Sequence, residues 1–224
     1  IARLDPINPH PPGISISIFN YMDLTILIPV KNEEKNIESI LKEITDTIRL
    51  DYEILFVNDF SSDSTLDTIH YFKNKNNKIS IINNEKNGLG ESIRNGIKYA
   101  KGKYLCILMC DGSDDLNDLQ RYYETIKNDN LDAVFGSRFL KDSLIHGYPK
   151  FKLILNRIFN YFISFLYLNK YNDYTNAFKI YKKEILEDLE PIVSESFNVF
   201  LEIPLKIINR NLKYKVISIN WLAE

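Results

Sequence analysis

The sequence predicts an α/β domain with a mostly parallel central sheet flanked by helices. Two observations predict this class. First, short apolar runs rich in β-branched residues alternate with segments of about ten residues or more whose apolar side chains recur every three or four positions. Second, the chain has 224 residues, of which 45% are hydrophobic and 12% aromatic, and this is enough for one large folded core. Strands that alternate with helices in this way pair in parallel.

Five strands are predicted from apolar runs that end at polar or turn-forming residues. The first is apolar and β-branched and is ended by Pro29, as expected of a short buried strand. The fourth holds seven residues without a charge, and four aspartates follow it within 111–118. In chain order the predicted strands are 24–30, 53–57, 78–84, 104–110 and 132–138.

Helices are predicted after each strand from apolar spacing and from capping residues. Asn32 can cap the first helix, and Ser64 or Asp63 can cap the second. Gly102 is placed to end the third. In chain order the predicted helices are 37–48, 64–74, 90–100, 119–128 and 150–168.

The two ends of the chain differ from the part between them. Residues 1–21 contain four prolines and no clear periodicity. We predict that they are an N-terminal appendage or an expression-derived leader, followed by a single domain over 22–224. Because the chain stops at Glu224 directly after an apolar segment, we expect the domain to be truncated there.

Composition argues against several classes of protein. The 28 Lys and Arg nearly balance 30 Asp and Glu, so we expect no bulk attraction to nucleic acid. Cys106 and Cys110 lie on one predicted strand with Cα atoms roughly 13 Å apart, which is too far for a disulfide and favours a cytoplasmic location. The three histidines are too widely spaced for a zinc site. No segment reaches the roughly 20 apolar residues that cross a bilayer.

Polar residues follow the predicted strands, where the carboxyl ends of a parallel sheet bind ligands. Several carboxylates at one edge repel one another unless a cation neutralises them, and Mg²⁺ or Mn²⁺ prefers such oxygen ligands. Arg138 can hold phosphate oxygens. A metal-bound nucleotide diphosphate is therefore the predicted ligand, whereas Asp115 and Asp118 are placed to begin a helix. The residues of this edge are Lys31, Asn32, Glu33, Asn58, Asp59, Asp111–Asp115, Ser137 and Arg138.

Six motifs occur in the order and at the spacing of a known family. They are "TILIPVKNEEKNI", "EILFVNDFSSDST", "NGLGESIRNGIKYAKGKY", "MCDGSDDLNDL", "GSR" and "DYTNAFKIYKKEIL". From about Leu24 to Trp221 the sequence resembles the family 2 glycosyltransferases, most nearly the dolichyl- or polyprenyl-phosphate sugar transferase branch. The resemblance implies a GT-A fold and inverting transfer of a sugar from a nucleotide-sugar donor, with Mg²⁺ or Mn²⁺ as cofactor.

The resemblance also implies roles for individual residues. Asp111 matches the second aspartate of an Asp-x-Asp element, Ser113 a neighbouring metal-shell position, and Arg138 the arginine that contacts the diphosphate. Met109 stands where the first aspartate is expected, and Asp114 is the predicted substitute ligand. The predicted donor-binding residues are Pro29, Lys31, Glu33, Val57, Asp59, Gly112 and Arg138.

Two further departures from the family pattern are present. "NAFK" replaces Ser-Gly-Phe-Arg, so Lys179 stands in the place of an arginine. The basic element that relatives carry after "NWLAE" is missing, and we expect weaker donor binding as a result.

The acceptor is predicted less directly. A hydroxyl acceptor requires a general base, for which Asp173, Glu195 and Glu202 are candidates, whereas a polyprenyl phosphate is already an anionic nucleophile. The aromatic helix over 151–168 either lies on the cytoplasmic face of a membrane or packs against the sheet or a second copy of the chain. Two alternatives stay open: a soluble or polysaccharide acceptor, and a nucleotide-sugar-binding module without turnover.

Overall fold

A seven-stranded sheet lies at the centre of the computed structural model, which describes residues 22–222. The strands are β1 Leu24–Val30, β2 Tyr52–Asn58, β3 Ile79–Asn83, β4 Tyr104–Ile107, β5 Ala133–Ser137, β6 Ile145–His146, β7 Lys179–Lys182, β8 Tyr214–Ser218 and β9 Trp221–Leu222. The helices are α1 Ile37–Thr47, α2 Thr65–Lys73, α3 Leu89–Tyr99, α4 Leu116–Asn128, α5 Lys150–Leu166, α6 Lys183–Asp188 and α7 Val199–Asn209.

The strand order of the sheet is β3-β2-β1-β4-β7-β5-β8. The pairs of β1 with β2 and β4, of β2 with β3, and of β5 with β8 are parallel. Strand β7 runs antiparallel to both of its neighbours, β4 and β5. The predicted mostly parallel sheet is confirmed, with one reversed strand that the apolar runs did not indicate.

Helices cover both faces of the sheet, and the side chains of each strand point to the two faces in alternation. In β1, Ile26 and Ile28 belong to a buried cluster that includes residues of α1 and α4, whereas Leu27 belongs to the cluster that includes residues of α3 and α7. Helix α3 approaches β1 closely, since a Cβ added at Gly96 would lie 2.3 Å from the Leu27 side chain.

Several predicted boundaries are corrected by the structure. Strand β4 ends at Ile107, before the predicted position 110, and α4 begins at Leu116, before the predicted 119. The predicted cap Asn32 is wrong, because α1 begins only at Ile37 and Asn32 has φ 58°. Its side-chain oxygen instead accepts a 2.7 Å hydrogen bond from the Ser62 N–H and joins the loops that follow β1 and β2.

Helix α5 has an unusual surface for a helix of a globular domain. Among its residues only Asn160 and Ile163 are buried. Exposed apolar or aromatic side chains occupy much of its surface and the turn that follows: Phe151, Ile154, Leu155, Ile158, Phe159, Tyr161, Phe162, Phe165, Leu166, Tyr167 and Leu168. Over residues 22–222, no helix has both the length and the apolar character required to cross a bilayer.

Candidate functional site

A cleft of about 350 Å³ opens at the carboxyl ends of β1 and β2. Four predicted donor-binding residues line it: Pro29, Lys31, Glu33 and Asp59. The other three do not: Val57 is fully buried in the core, Gly112 lies in the loop after β4, and Arg138 follows β5. Two more lining residues were singled out from the sequence, Glu195 as a candidate base and Met109 in place of an aspartate. The sequence assigned no role to the others, which are Val30, Asn87, Gly88, Leu89, Ser92, Ser196 and Phe197.

Asp59 connects the end of β2 to the turn before α3. Its Oδ1 accepts hydrogen bonds from the Gly88 N–H at 2.8 Å and from Asn84 Nδ2 at 3.0 Å. Lys31 Nζ lies 3.4 Å from Asp59 Oδ2 and donates to Asn87 Oδ1 at 2.8 Å. These contacts hold a carboxylate and a lysine at the cleft in fixed positions.

The glycines of "NGLG" allow a second wall to approach the cleft. A Cβ at Gly90 would lie 1.8 Å from the Ser194 carbonyl oxygen, and the Gly90 N–H donates to the Glu195 carbonyl oxygen at 3.0 Å. Residues 192–197, which we call the wall segment, therefore pack directly on this turn. Arg94 Nη1 also donates to the carbonyl oxygens of Ile192 and Ser194, each at 3.0 Å.

Glu202, a predicted catalytic residue, holds this wall segment. Its carboxylate accepts from the N–H groups of Val193 at 2.9 Å and Ser194 at 2.7 Å, and it pairs with Lys206 at 2.7 Å. Partial burial opposes its ionisation, but these hydrogen bonds outweigh burial and lower the pKa of Glu202 to about 2. The contacts favour a structural role for Glu202 over proton transfer.

The predicted metal ligands lie in the loop after β4. Asp111 is exposed, and its Oδ1 accepts from the Ser113 hydroxyl at 2.7 Å and the Ser113 N–H at 3.1 Å. Gly112 between them has φ 68°, a conformation that glycine adopts without strain. Asp114 is only 6% exposed. Burial, followed by the charge of Asp111, raises the pKa of Asp114 to about 7.

This loop offers a small set of hard oxygen donors to a metal ion. Within the described range 22–222, no three His, Cys, Asp or Glu side chains form a complete ligand set. Two neighbouring carboxylates and a hydroxyl fit Mg²⁺ or Mn²⁺, because these ions take few protein ligands and complete their shells with phosphate and water. Asp115 acts as predicted at the start of α4, where its side chain accepts from the Asn117 N–H.

Arg138 and Asp173 form a buried ion pair beside this loop. Arg138 donates from Nε at 2.8 Å, from Nη2 at 2.7 Å and from its backbone N–H at 2.9 Å, all to the Asp173 carboxylate. The side chains are 7% and 0% exposed. Both carboxylate oxygens of Asp173 are thus occupied, which favours a positioning role over that of a general base. Among the predicted bases, only Glu195 lines the cleft.

Lys179 lies in the same buried region, at the start of β7. It is fully buried, and its Nζ donates to the carbonyl oxygens of Tyr174, at 3.1 Å, and Asn176. Burial lowers the pKa of Lys179 to about 7, although the Asp173 charge opposes this change. Because the Lys179 side chain bonds to these backbone carbonyl groups, it fixes the segment that carries Asp173.

Comparison with known proteins identifies the family and the fold. The profile of "Glycosyl transferase family 2" matches residues 25–190. A dolichol-phosphate mannosyltransferase of Pyrococcus furiosus is 26% identical over 83% of this chain and 53% of its own length. A dolichyl-phosphate beta-glucosyltransferase of Dictyostelium discoideum is 26% identical over 88% of this chain and 66% of its own length. The chain thus spans about half of the first relative and just under two thirds of the second.

A solved structure shows the same architecture. Glucosyl-3-phosphoglycerate synthase of Mycobacterium tuberculosis, in complex with Mn²⁺, UDP and phosphoglyceric acid, superposes with a TM-score of 0.67 at 12% identity. The match covers 89% of this chain and 69% of that one. The predicted GT-A fold is confirmed. Because the family profile matches most of the described domain, the chain belongs to glycosyl transferase family 2.

Proposed function

We propose that this glycosyltransferase moves a sugar, with inversion, from a nucleoside-diphosphate donor to a polyprenyl phosphate. The observation that carries the proposal is the grouping of exposed Asp111 and of Arg138 at the sheet edge that also holds the cleft. A donor bound there places its nucleoside among Pro29, Lys31, Glu33 and Asp59. Its diphosphate then points toward the loop after β4.

In this proposal Arg138 stabilises the leaving diphosphate, and the loop after β4 holds residues that would bind a metal ion. Asp111, Ser113 and Asp114 would hold Mg²⁺ or Mn²⁺, which neutralises charge on phosphate oxygens when bound. Among residues 22–222, Arg138 Nη1 has no hydrogen-bond partner, so it is free to donate to a phosphate oxygen. Arg138 acts on charge that grows as the bond to the sugar breaks, as a bound metal ion would, and such contacts accelerate the reaction.

An anionic acceptor suits the state of the predicted bases. Asp173 is paired with Arg138, and Glu202 is occupied by the wall segment. A phosphate acceptor does not require either of them, because it carries its own negative charge. The two relatives are named for dolichol-phosphate or dolichyl-phosphate transfer, and this supports the same acceptor class for the present chain.

Helix α5 gives such a lipid acceptor a surface from which to reach the site. Its exposed apolar side chains stand beside Lys152, Arg157 and Lys170, and no Asp or Glu occurs from 143 to 172. An apolar surface with cationic flanks favours an anionic bilayer. We expect the domain to sediment with anionic vesicles and not with neutral ones. In the cell, this contact would be made with the cytoplasmic face of a membrane. Equal recovery with both kinds of vesicle would contradict this contact.

The test combines binding with transfer. Calorimetry with UDP and GDP, with and without Mn²⁺, should show metal-dependent binding that Asp111→Ala abolishes. Glu184→Ala is the matched control, because it removes an exposed acid from the opposite edge of the sheet. Transfer from UDP-glucose and GDP-mannose to dolichyl phosphate then reports the donor, and NMR of the product reports the anomeric configuration.

Each result of this test has a defined meaning. A product with retained configuration would contradict inversion, and transfer to soluble sugars alone would contradict the lipid acceptor. Met109 in the cleft, where a carboxylate is expected, favours a second candidate, a binding module without turnover. Metal-dependent nucleotide binding without transfer or donor hydrolysis would support that candidate and overturn the proposed activity.

A further inference from the structure

Two side-chain amides of helix α5, those of Asn156 and Asn160, connect the helix to the segment that precedes β7. Asn160 is 1% exposed, and its Oδ1 accepts a 2.6 Å hydrogen bond from the Tyr174 N–H. Its Nδ2 donates to the Asn156 carbonyl oxygen at 2.9 Å and to Thr175 Oγ1 at 3.3 Å. An amide that is buried this deeply holds its partners in fixed geometry, because an unsatisfied polar group is costly there.

Thr175 joins these amides to Arg138. Its hydroxyl donates to Asn156 Oδ1 at 2.9 Å and accepts from Arg138 Nη2 at 3.2 Å. A second connection runs from Asn156 Nδ2 to the Tyr148 hydroxyl at 3.0 Å. The Tyr148 ring centre in turn lies 5.8 Å from the guanidinium carbon of Arg138.

These contacts complete the set that fixes the guanidinium plane. Asp173 binds Nε and one hydrogen of Nη2, which sets the direction of the fork. Thr175 engages Nη2 from the side of α5. The free Nη1 then points in one direction, and a group that stabilises a transition state must be held in place before the reaction.

We propose that Thr175, supported by Asn156 and Asn160, is a positioning residue that orients Arg138 toward the donor diphosphate. Helix α5 is then part of the active site as well as a surface of the domain. This inference rests on the proposed function, since it assigns Arg138 to the leaving diphosphate. It goes beyond that proposal, because it gives a role to three residues to which the sequence motifs assigned none and which do not line the cleft.

The matched variants are Thr175→Val and Thr175→Ser. Valine keeps the shape of threonine and removes the hydroxyl, whereas serine keeps the hydroxyl. Thr175→Val removes the hydrogen bond between the Thr175 hydroxyl and the charged Arg138 guanidinium. We therefore expect kcat to fall about tenfold or more, with a smaller change in the KM for the donor. Thr175→Ser should retain the wild-type kcat to within about threefold, because its hydroxyl can make the same hydrogen bonds. Thr45→Val on α1 is the control, because its exposed hydroxyl donates to the Leu41 carbonyl oxygen of the same helix.

A binding measurement gives a result that does not depend on turnover. With Mn²⁺ present, Thr175→Val should weaken binding of UDP or GDP, whichever the wild type binds, and leave the matching nucleoside unaffected. Thermal unfolding confirms that the variants are folded. If Thr175→Val matches the wild type in kcat and in nucleotide binding, the positioning role is refuted and the proposed function stands. If the wild type neither binds a nucleotide nor transfers a sugar, the proposed function fails and this inference with it.

Discussion

Replacement of Asp173 by asparagine tests whether this residue positions Arg138 or acts as a base. The side chain is fully buried and accepts three hydrogen bonds from Arg138. An asparagine side chain would keep the volume, but it has no charge and presents one oxygen and one NH₂ group to the guanidinium. The variant therefore leaves a buried arginine without its counter-ion.

The expected loss of stability follows from the burial of this pair. Removal of one partner from a buried ion pair costs about 3–5 kcal/mol, because the remaining charge stays desolvated. Solvent screening reduces this value little, since the two side chains are 7% and 0% exposed. For a chain of this size, about 2–4 °C of melting temperature is lost per kcal/mol, so Asp173→Asn should melt roughly 6–20 °C below the wild type.

Urea unfolding followed by circular dichroism measures this loss directly. The double variant Arg138→Met, Asp173→Leu removes both charges and should be more stable than Asp173→Asn, because no unpaired charge remains. A general base would give a different result, namely lost activity with unchanged stability. If Asp173→Asn stays within about 1 kcal/mol of the wild type, the buried-pair argument is refuted.

Three further predictions concern the cleft and its loops. Gly90→Ala should destabilise the domain by roughly 1–3 kcal/mol in urea unfolding, because the added Cβ meets the Ser194 oxygen; an unchanged midpoint would contradict the close approach. Glu202 has a folded pKa of about 2, below its ordinary value of 4.5. It therefore stabilises the folded domain above pH 4.5, and this contribution is lost as the pH falls toward 2. The stability of Glu202→Gln should lack that part of the pH dependence. Asp114 has a folded pKa of about 7, above its ordinary value of 3.8, so its burial destabilises the folded domain increasingly as the pH rises from 3.8 to 7. The stability of Asp114→Asn relative to the wild type should therefore increase across this interval. Parallel curves of stability against pH for the two proteins would disprove this prediction.

The sequence predicted the first half of the fold and the groups at its sheet edge for one physical reason. In βαβ units the polar residues that follow each apolar run lie at the carboxyl edge of the sheet. Asp59 and Asp111 could therefore be placed at one edge from their positions in the sequence alone. This rule, which considers only residues that follow a strand, misses residues that precede an antiparallel strand. Asp173 and Thr175 reach the site because β7 begins, and does not end, at this edge.

Contacts between residues far apart in the sequence could not be predicted either. The contact of Asp173 with Arg138 spans 35 positions, and no local pattern indicates it. Glu202 was a candidate general base from the sequence, whereas the structure pairs it with backbone amides of the wall segment. Asn32 failed as a cap for a related reason, since its side chain bonds across to Ser62 on another loop.

The reversed strand also has a consequence for how the chain folds. Strands β1 to β4 can assemble from contacts within the first half of the chain. In the sheet formed by residues 22–222, β5 and β8 are joined to these strands through β7. Until Lys179 pairs with Ile107, the β4 edge lacks its neighbour and exposes backbone groups that can pair with another chain. Non-local pairing of this kind forms slowly, so aggregation during synthesis should depend most on how quickly β7 inserts.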